Sequence, residues 1–179
     1  MVSINLTMKN LNQEDDVGSC ALKALEQGFK LYDLKLVPGK NSLRIRVFLD
    51  KLDDPWGTPN VADCEKFARA FDAGLTDLVN MGKLSENYIL EVSSPGAERE
   101  LKSSEEWGRF KDKPMKVRYN ITPVKANTDV FSLIRIDGDM TYWKKARLKK
   151  DKNNNKEKPD KETGILIKDI IQVKLYLDF

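Results

Sequence analysis

Apolar positions recur with a helical period in two long stretches of this chain and with a strand period in eight short ones. In the first helical stretch, Val17, Cys20, Ala21, Ala24 and Leu25 form a stripe that predicts a helix over Glu14–Gln27. Glu14, Asp15 and Asp16 suit its positive N-terminal end, and Gly28 is a natural stop. The spacing then predicts a strand over Leu31–Val37, a turn at Pro38-Gly39-Lys40-Asn41 and a strand over Ser42–Asp50. In the second strand Leu43, Ile45, Val47 and Leu49 share one face, and Arg44, Arg46 and Phe48 share the other. The Asp-, Pro- and Gly-rich residues Lys51–Pro59 are expected to form an exposed loop. Asn60 is a good N-cap for a helix whose stripe is Val61, Cys64, Phe67, Ala68, Phe71, Leu75 and Leu78, closed at Met81-Gly82. A third strand is predicted at Tyr88–Val92. The order αββαβ predicts a three-stranded sheet with both helices on one face, which buries both stripes and leaves Arg44, Arg46 and Phe48 on the other.

Beyond a Pro95-Gly96 turn the pattern changes. Ser103–Phe110 reads as a short helical turn ended by Pro114. Strands are predicted at Met115–Asn120, Val130–Ile136, Met140–Leu148, Ile165–Ile167 and Ile171–Leu177, with Asp137-Gly138 as a hairpin turn. Five short strands in so little chain predict a small antiparallel barrel, closed so that few edges are exposed. The fold expected is therefore α+β, with an N-terminal α/β domain over residues 1–98 and a C-terminal barrel domain over residues 99–179. The polar, basic run from Leu148 to Gly164 is expected to be a flexible loop.

Composition narrows the chemistry. Histidine is absent, so a Ser-His-Asp or Cys-His site and a His-bearing metal site cannot be assembled from this chain. Two cysteines, Cys20 and Cys64, are too few for a disulfide framework or a structural zinc site, and both lie in helical stripes where Cys acts as a small apolar residue. Such sparse cysteine suits a reducing compartment. No glycine-rich nucleotide-binding string occurs. The chain is expected to be no enzyme and to need no cofactor or metal. No apolar run approaches the ~20 residues that cross a bilayer, and the first residues lack the pattern of a secretory signal or an Arg-rich transit peptide. The net charge of +3 hides one basic segment: Lys144–Lys161 holds nine basic and three acidic residues. Such a segment attracts a polyanion even in a nearly neutral protein. Arg44, Arg46, Lys144, Lys145, Arg147, Lys149 and Lys150 are the candidate RNA-contacting cations, although solvated arginines opposite a core face are also ordinary.

The most distinctive string is Tyr88–Leu101, YILEVSSPGAEREL. It resembles the signature of the ribosome maturation factor P (RimP) family, approximately VSSPG-x-[DE]-R-x-L, matched by Val92, Ser93, Ser94, Pro95, Gly96, Glu98, Arg99 and Leu101. Asp63–Phe71, Glu105–Val117 and Ile167–Phe179 are similar to further family segments in the same order. Ala97, Glu100 and Lys113 depart from it, standing where Leu, Pro and Gly are usual. Without the proline, the residues around Glu100 are expected to be looser or more helical. These departures, with a long basic loop, look more like plastid relatives than bacterial ones.

The resemblance implies an N-terminal α/β domain joined to an Sm-like, SH3-like barrel. It implies a non-catalytic factor that promotes assembly of the small (30S-type) ribosomal subunit, with the immature subunit as partner: its rRNA and a ribosomal protein near the decoding region. A monomer without membrane partners is expected, in a bacterial-type cytoplasm or the chloroplast stroma. Carried over by position, partner binding or an interdomain hinge falls on Ser93, Ser94, Pro95, Gly96, Glu98 and Arg99, then on Arg109 and Phe110. Arg99 is either a ligand for rRNA phosphate or an ion-pair partner for Glu98, Glu100 or the barrel; its guanidinium fork suits both. The competing reading is a stand-alone RNA-binding module or RNA chaperone built on the barrel and its basic loop.

Overall fold

The first helix, α1, runs Ser3–Ala24 in the computed structural model, which describes residues 3–148 and 161–177 and the side chains from residue 13 onward. It starts well before the expected Glu14. No Gly or Pro lies between Ser3 and Val17, so nothing local halts the helix there. Glu14, Asp15 and Asp16 consequently sit in the helix body, where Asp16 pairs with Lys83 at 2.9 Å. The helix also ends short of Gln27. A turn follows, in which the Phe29 amide donates to the Glu26 carbonyl at 3.2 Å and opens strand β1, Phe29–Pro38.

The chain folds as two compact units, residues 1–95 and 96–179. In the first unit, β1 is antiparallel to β2 (Leu43–Lys51), and β2 is parallel to β3 (Tyr88–Ser93). Parallel neighbours need a crossover, which α2 (Val61–Asn80) supplies. Its start is specified as expected and more tightly. The Asn60 side chain accepts from the Asp63 amide at 2.8 Å, and the Asp63 carboxylate accepts from the Asn60 amide at 2.9 Å, completing a capping box. Val61 is a correction to the stripe. It is 85 % exposed, because the first residue of α2 lies before the helix reaches the core. That core joins Val17 and Ala21 of α1, Ile45, Val47 and Leu49 of β2, and Phe67, Phe71 and Leu75 of α2. The loop after β2 is not wholly exposed, since Gly57 and Pro59 are buried. The Asp54 carboxylate accepts from the Trp56 and Thr58 amides there, both at 2.9 Å.

The two helices approach closely at Gly74, where a Cβ would overlap Cys20 Sγ. Burial pushes the Cys20 and Cys64 thiols above the ordinary thiol value, so both stay protonated. Gly74→Ala is expected to destabilise the unit: overpacking costs about 1–3 kcal/mol, against about 1 kcal/mol of helix propensity gained. Urea unfolding of G74A, C20A and the double variant tests this. The double variant is expected to be more stable than G74A alone.

The second unit begins with helix α3, Ser104–Arg109. Five antiparallel strands follow: β4 (Met115–Thr122), β5 (Lys125–Asp137), β6 (Met140–Lys145), β7 (Thr163–Leu166) and β8 (Ile170–Leu175). Their order is β7-β6-β5-β4-β8. The expected closed barrel is corrected here, because among the described residues no ladder joins the two edge strands β7 and β8. The sheet is nonetheless curled. Four strand spacings in a flat sheet would separate its edges by roughly 19 Å. The 3-10 turn Ile167–Asp169 has to connect those edges with a chain that reaches only about 14 Å. Trp143 fills the inside of the curl against Trp107 and Phe131, with ring centroids at 6.4 and 6.3 Å. Its indole N–H donates to Thr141 Oγ1 at 2.7 Å, and that hydroxyl donates to the Ile165 carbonyl at 2.6 Å, so no polar atom of this relay is stranded. The loop expected beyond Leu148 lies, over residues 149–160, outside the described residues.

Candidate functional site

β3 leads straight into the Ser-Ser-Pro-Gly string. Ser93 is its last residue, exposed and opposite Phe48 of β2. Ser94 and Pro95 are half-buried, and Gly96, Ala97 and Glu98 are exposed. Gly96 has φ +88°, which a side chain at that position would adopt only under strain. The next residues are neither loose nor helical, correcting the expectation for Glu100. They lie extended along β8: the Leu101 amide donates to the Val173 carbonyl at 2.8 Å and the Leu175 amide to the Arg99 carbonyl at 2.9 Å. Glu100 faces Lys174 between these two bonds, and its carboxylate accepts from Gln172 at 2.8 Å.

Arg99 turns inward. It is 2 % exposed, and its Nη2 donates to Glu106 Oε1 at 3.0 Å. The other oxygen of Glu106 accepts from the Lys102 amide at 2.6 Å. α3 aims this carboxylate: Ser103 caps the helix by accepting from the Glu106 amide at 3.3 Å, and the Trp107 indole donates to the Leu101 carbonyl at 2.9 Å. The buried Phe110 ring has the Arg99 guanidinium 5.3 Å from its centroid and that of Arg109 at 4.8 Å. Arg99, Arg109 and Phe110 therefore form one cluster, completed by Glu106. Sequence alone offers Glu98, Glu100 or the barrel as ion-pair partners and does not single out Glu106. The Ser103-x-x-Glu106 spacing, a capping-box pattern, is the signal that could have found it.

The candidate cations fall on two surfaces. On the outer face of the three-stranded sheet, Arg44 and Arg46 share the single carboxylate of Glu91 at 3.1 and 2.7 Å. The same face carries Asp33, which pairs with Lys35 at 3.5 Å, together with Phe48 and Ser93, and Val37 and Ile89 are 40 % and 45 % exposed. Two guanidiniums on one half-exposed carboxylate leave excess positive charge, and such surface pairs are worth only about 0–1 kcal/mol, so a phosphate could compete for them.

The second surface is a cleft of about 620 Å³ in the five-stranded unit, lined by Lys111, Lys144, Lys145 and Arg147, with Asp112 as its one acidic residue among the described residues. Leu133 and Ile134 contribute an apolar wall. Lys145 is also 3.4 Å from Asp129. Four cations converging on a concave surface focus a positive potential outward. Lys111 is not legible as a site residue in the sequence because it lies outside the basic segment, at the exit of α3 and next to Asp112; only the fold brings it to the lysines at the end of β6. Lys149 and Lys150 lie outside the described residues.

A model of the RimP N-terminal domain matches residues 21–98. Two proteins called ribosome maturation factor RimP, from the copenhageni and Lai serovars of Leptospira interrogans, are each 30 % identical to the chain over 150 residues. Each alignment covers 83 % of this chain and 87 % of the relative.

Proposed function

The chain belongs to the ribosome maturation factor RimP family, and from that premise we propose that it is a non-catalytic factor that binds the immature small ribosomal subunit and promotes its assembly. The observation that carries this reading is the cleft holding Lys111, Lys144, Lys145 and Arg147, whose charge and concavity suit the phosphate backbone of rRNA. The outer sheet face with Arg44 and Arg46 is a second rRNA-facing surface in this account. The buried pair Arg99–Glu106 acts as a strut that holds the first residues of the C-terminal unit on β8. Ser93, Ser94, Pro95, Gly96 and Glu98 form the partner-binding or hinge segment joining the units in sequence. The target lies near the decoding region and includes a ribosomal protein beside the rRNA, and the factor acts as a monomer. Its compartment is the one that holds a bacterial-type small subunit, the bacterial cytoplasm or the chloroplast stroma. No helix among the described residues is long and apolar enough to cross a membrane.

Deleting the protein is expected to leave immature small subunits with unprocessed small-subunit rRNA on sucrose gradients. A deletion strain with a normal subunit profile and fully processed rRNA would contradict the proposal. The same cleft gives one specific observation in favour of a stand-alone RNA-binding module or RNA chaperone. That reading requires tight, salt-sensitive binding to unrelated naked RNA, with no preference for the immature particle.

A further inference from the structure

The β4–β5 hairpin outgrows its sheet. β8 pairs with β4 only as far as Tyr119, and β6 pairs with β5 only from Phe131 onward. The register between β4 and β5 continues beyond both, through Asn120↔Ala126 and Thr122↔Lys125. Residues 121–128 are all exposed, with Ile121 at 54 % and Val124 at 98 %. An unsupported two-stranded ribbon is marginal in water, and large apolar side chains at its tip are costly to leave in solvent. Its base is nevertheless braced. Asp129 Oδ2 accepts from the Tyr119 hydroxyl at 3.0 Å and from Asn127 Nδ2 at 2.8 Å, and the Tyr119 ring packs 6.0 Å from Phe131. Burial raises the Tyr119 hydroxyl above its ordinary value and keeps it a donor. Charge indicates the occupant: from Lys113 to Thr128 the chain holds Lys113, Lys116, Arg118 and Lys125 and no acidic residue.

We propose that this hairpin is an RNA-docking arm, in which Lys116, Arg118 and Lys125 take backbone phosphates and Ile121, Pro123 and Val124 wedge against the bases of a looped or bulged segment. The deep groove of regular A-form RNA is closed to side chains, so an irregular segment with unstacked bases is the target. Apolar residues projecting from a cationic frame are how proteins pry at base steps. The proposal rests on the assembly-factor reading for the identity of the RNA, which is small-subunit rRNA.

The test uses the full chain, an in vitro transcript of bacterial small-subunit rRNA, and filter binding across a range of salt. Arg118→Gln with Lys125→Gln is expected to weaken binding about tenfold and to lower the salt slope by about 1.5, the counterions two phosphates hold. Ile121→Ser with Val124→Ser is expected to weaken binding about fivefold with the slope unchanged, the loss a truncated anchor gives. Thermal unfolding should match the parent in both, since all four side chains are exposed. Wild-type affinity in both variants would overturn the arm and leave the family reading intact, provided they still co-sediment with immature subunits. Co-sedimentation lost while binding to the transcript is unchanged would give the arm a protein partner and overturn the proposal equally. So would a parent protein that does not bind the transcript.

Discussion

Replacing Arg99 by alanine is expected to bring the C-terminal unit close to unfolding. The guanidinium is 2 % exposed and bonded to Glu106 at 3.0 Å, so its removal strands a carboxylate whose side chain is itself only 11 % exposed. Breaking a buried pair from one side costs about 3–5 kcal/mol, a large share of the roughly 5–15 kcal/mol that holds a whole domain together. Among the described residues, Glu106 would keep the Lys102 amide alone, and the Phe110 ring would lose one of two cations. Removing the charge on both sides should cost less than removing Arg99 alone. Arg99→Met with Glu106→Gln is therefore expected to recover much of the loss. Urea unfolding followed by the fluorescence of buried Trp107 and Trp143 measures this directly. A parent-like midpoint in R99A together with lost subunit binding would contradict the strut and make Arg99 an RNA ligand.

Neutralising the cleft is expected to have the largest effect on function. Lys111→Gln, Lys144→Gln and Arg147→Gln together remove three of the four cations that line it among the described residues and keep Lys145. Three lost phosphate contacts should lower the salt slope of binding by about 2 to 3 and weaken binding at physiological salt on the order of 100-fold. Exposed substitutions of this kind leave stability within about 0.5 kcal/mol. The two variants therefore differ in kind: the cleft variant should lose binding at parent-like stability, and R99A should weaken it through lost stability. Measurements at several salt concentrations are needed, because loss of an apolar contact would leave the slope unchanged.

Local chemistry explains which parts of the fold the sequence could show. The α2 helix was legible because Asn60 and the Phe67, Phe71 and Leu75 spacing carry its start and buried face within one segment. The start of α1 was not, because Glu14, Asp15 and Asp16 imitate a first turn, and only the absence of a breaker upstream argues otherwise. The eight strands were legible from alternation, but closure was not. Whether β7 and β8 pair depends on how far a sheet curls, which no single strand encodes. At the site, the family string was plain, while the burial of Arg99 was hidden. A charged residue between Glu98 and Glu100 reads as exposed until Leu101 and Leu175 bind that segment to β8. Lys111 joined the cleft only through tertiary placement, as did the projecting arm, whose length is set by where its neighbours stop pairing.

Co-sedimentation of the purified protein with immature and with mature small subunits, at about 0.15 M salt where the Debye length is near 8 Å, tests the central claim most directly. The parent protein is expected to travel with the immature particle in preference to the mature one, and the folded cleft variant is not. Equal recovery of the parent with both particles, or undiminished recovery of the cleft variant with the immature one, would contradict the assembly-factor role.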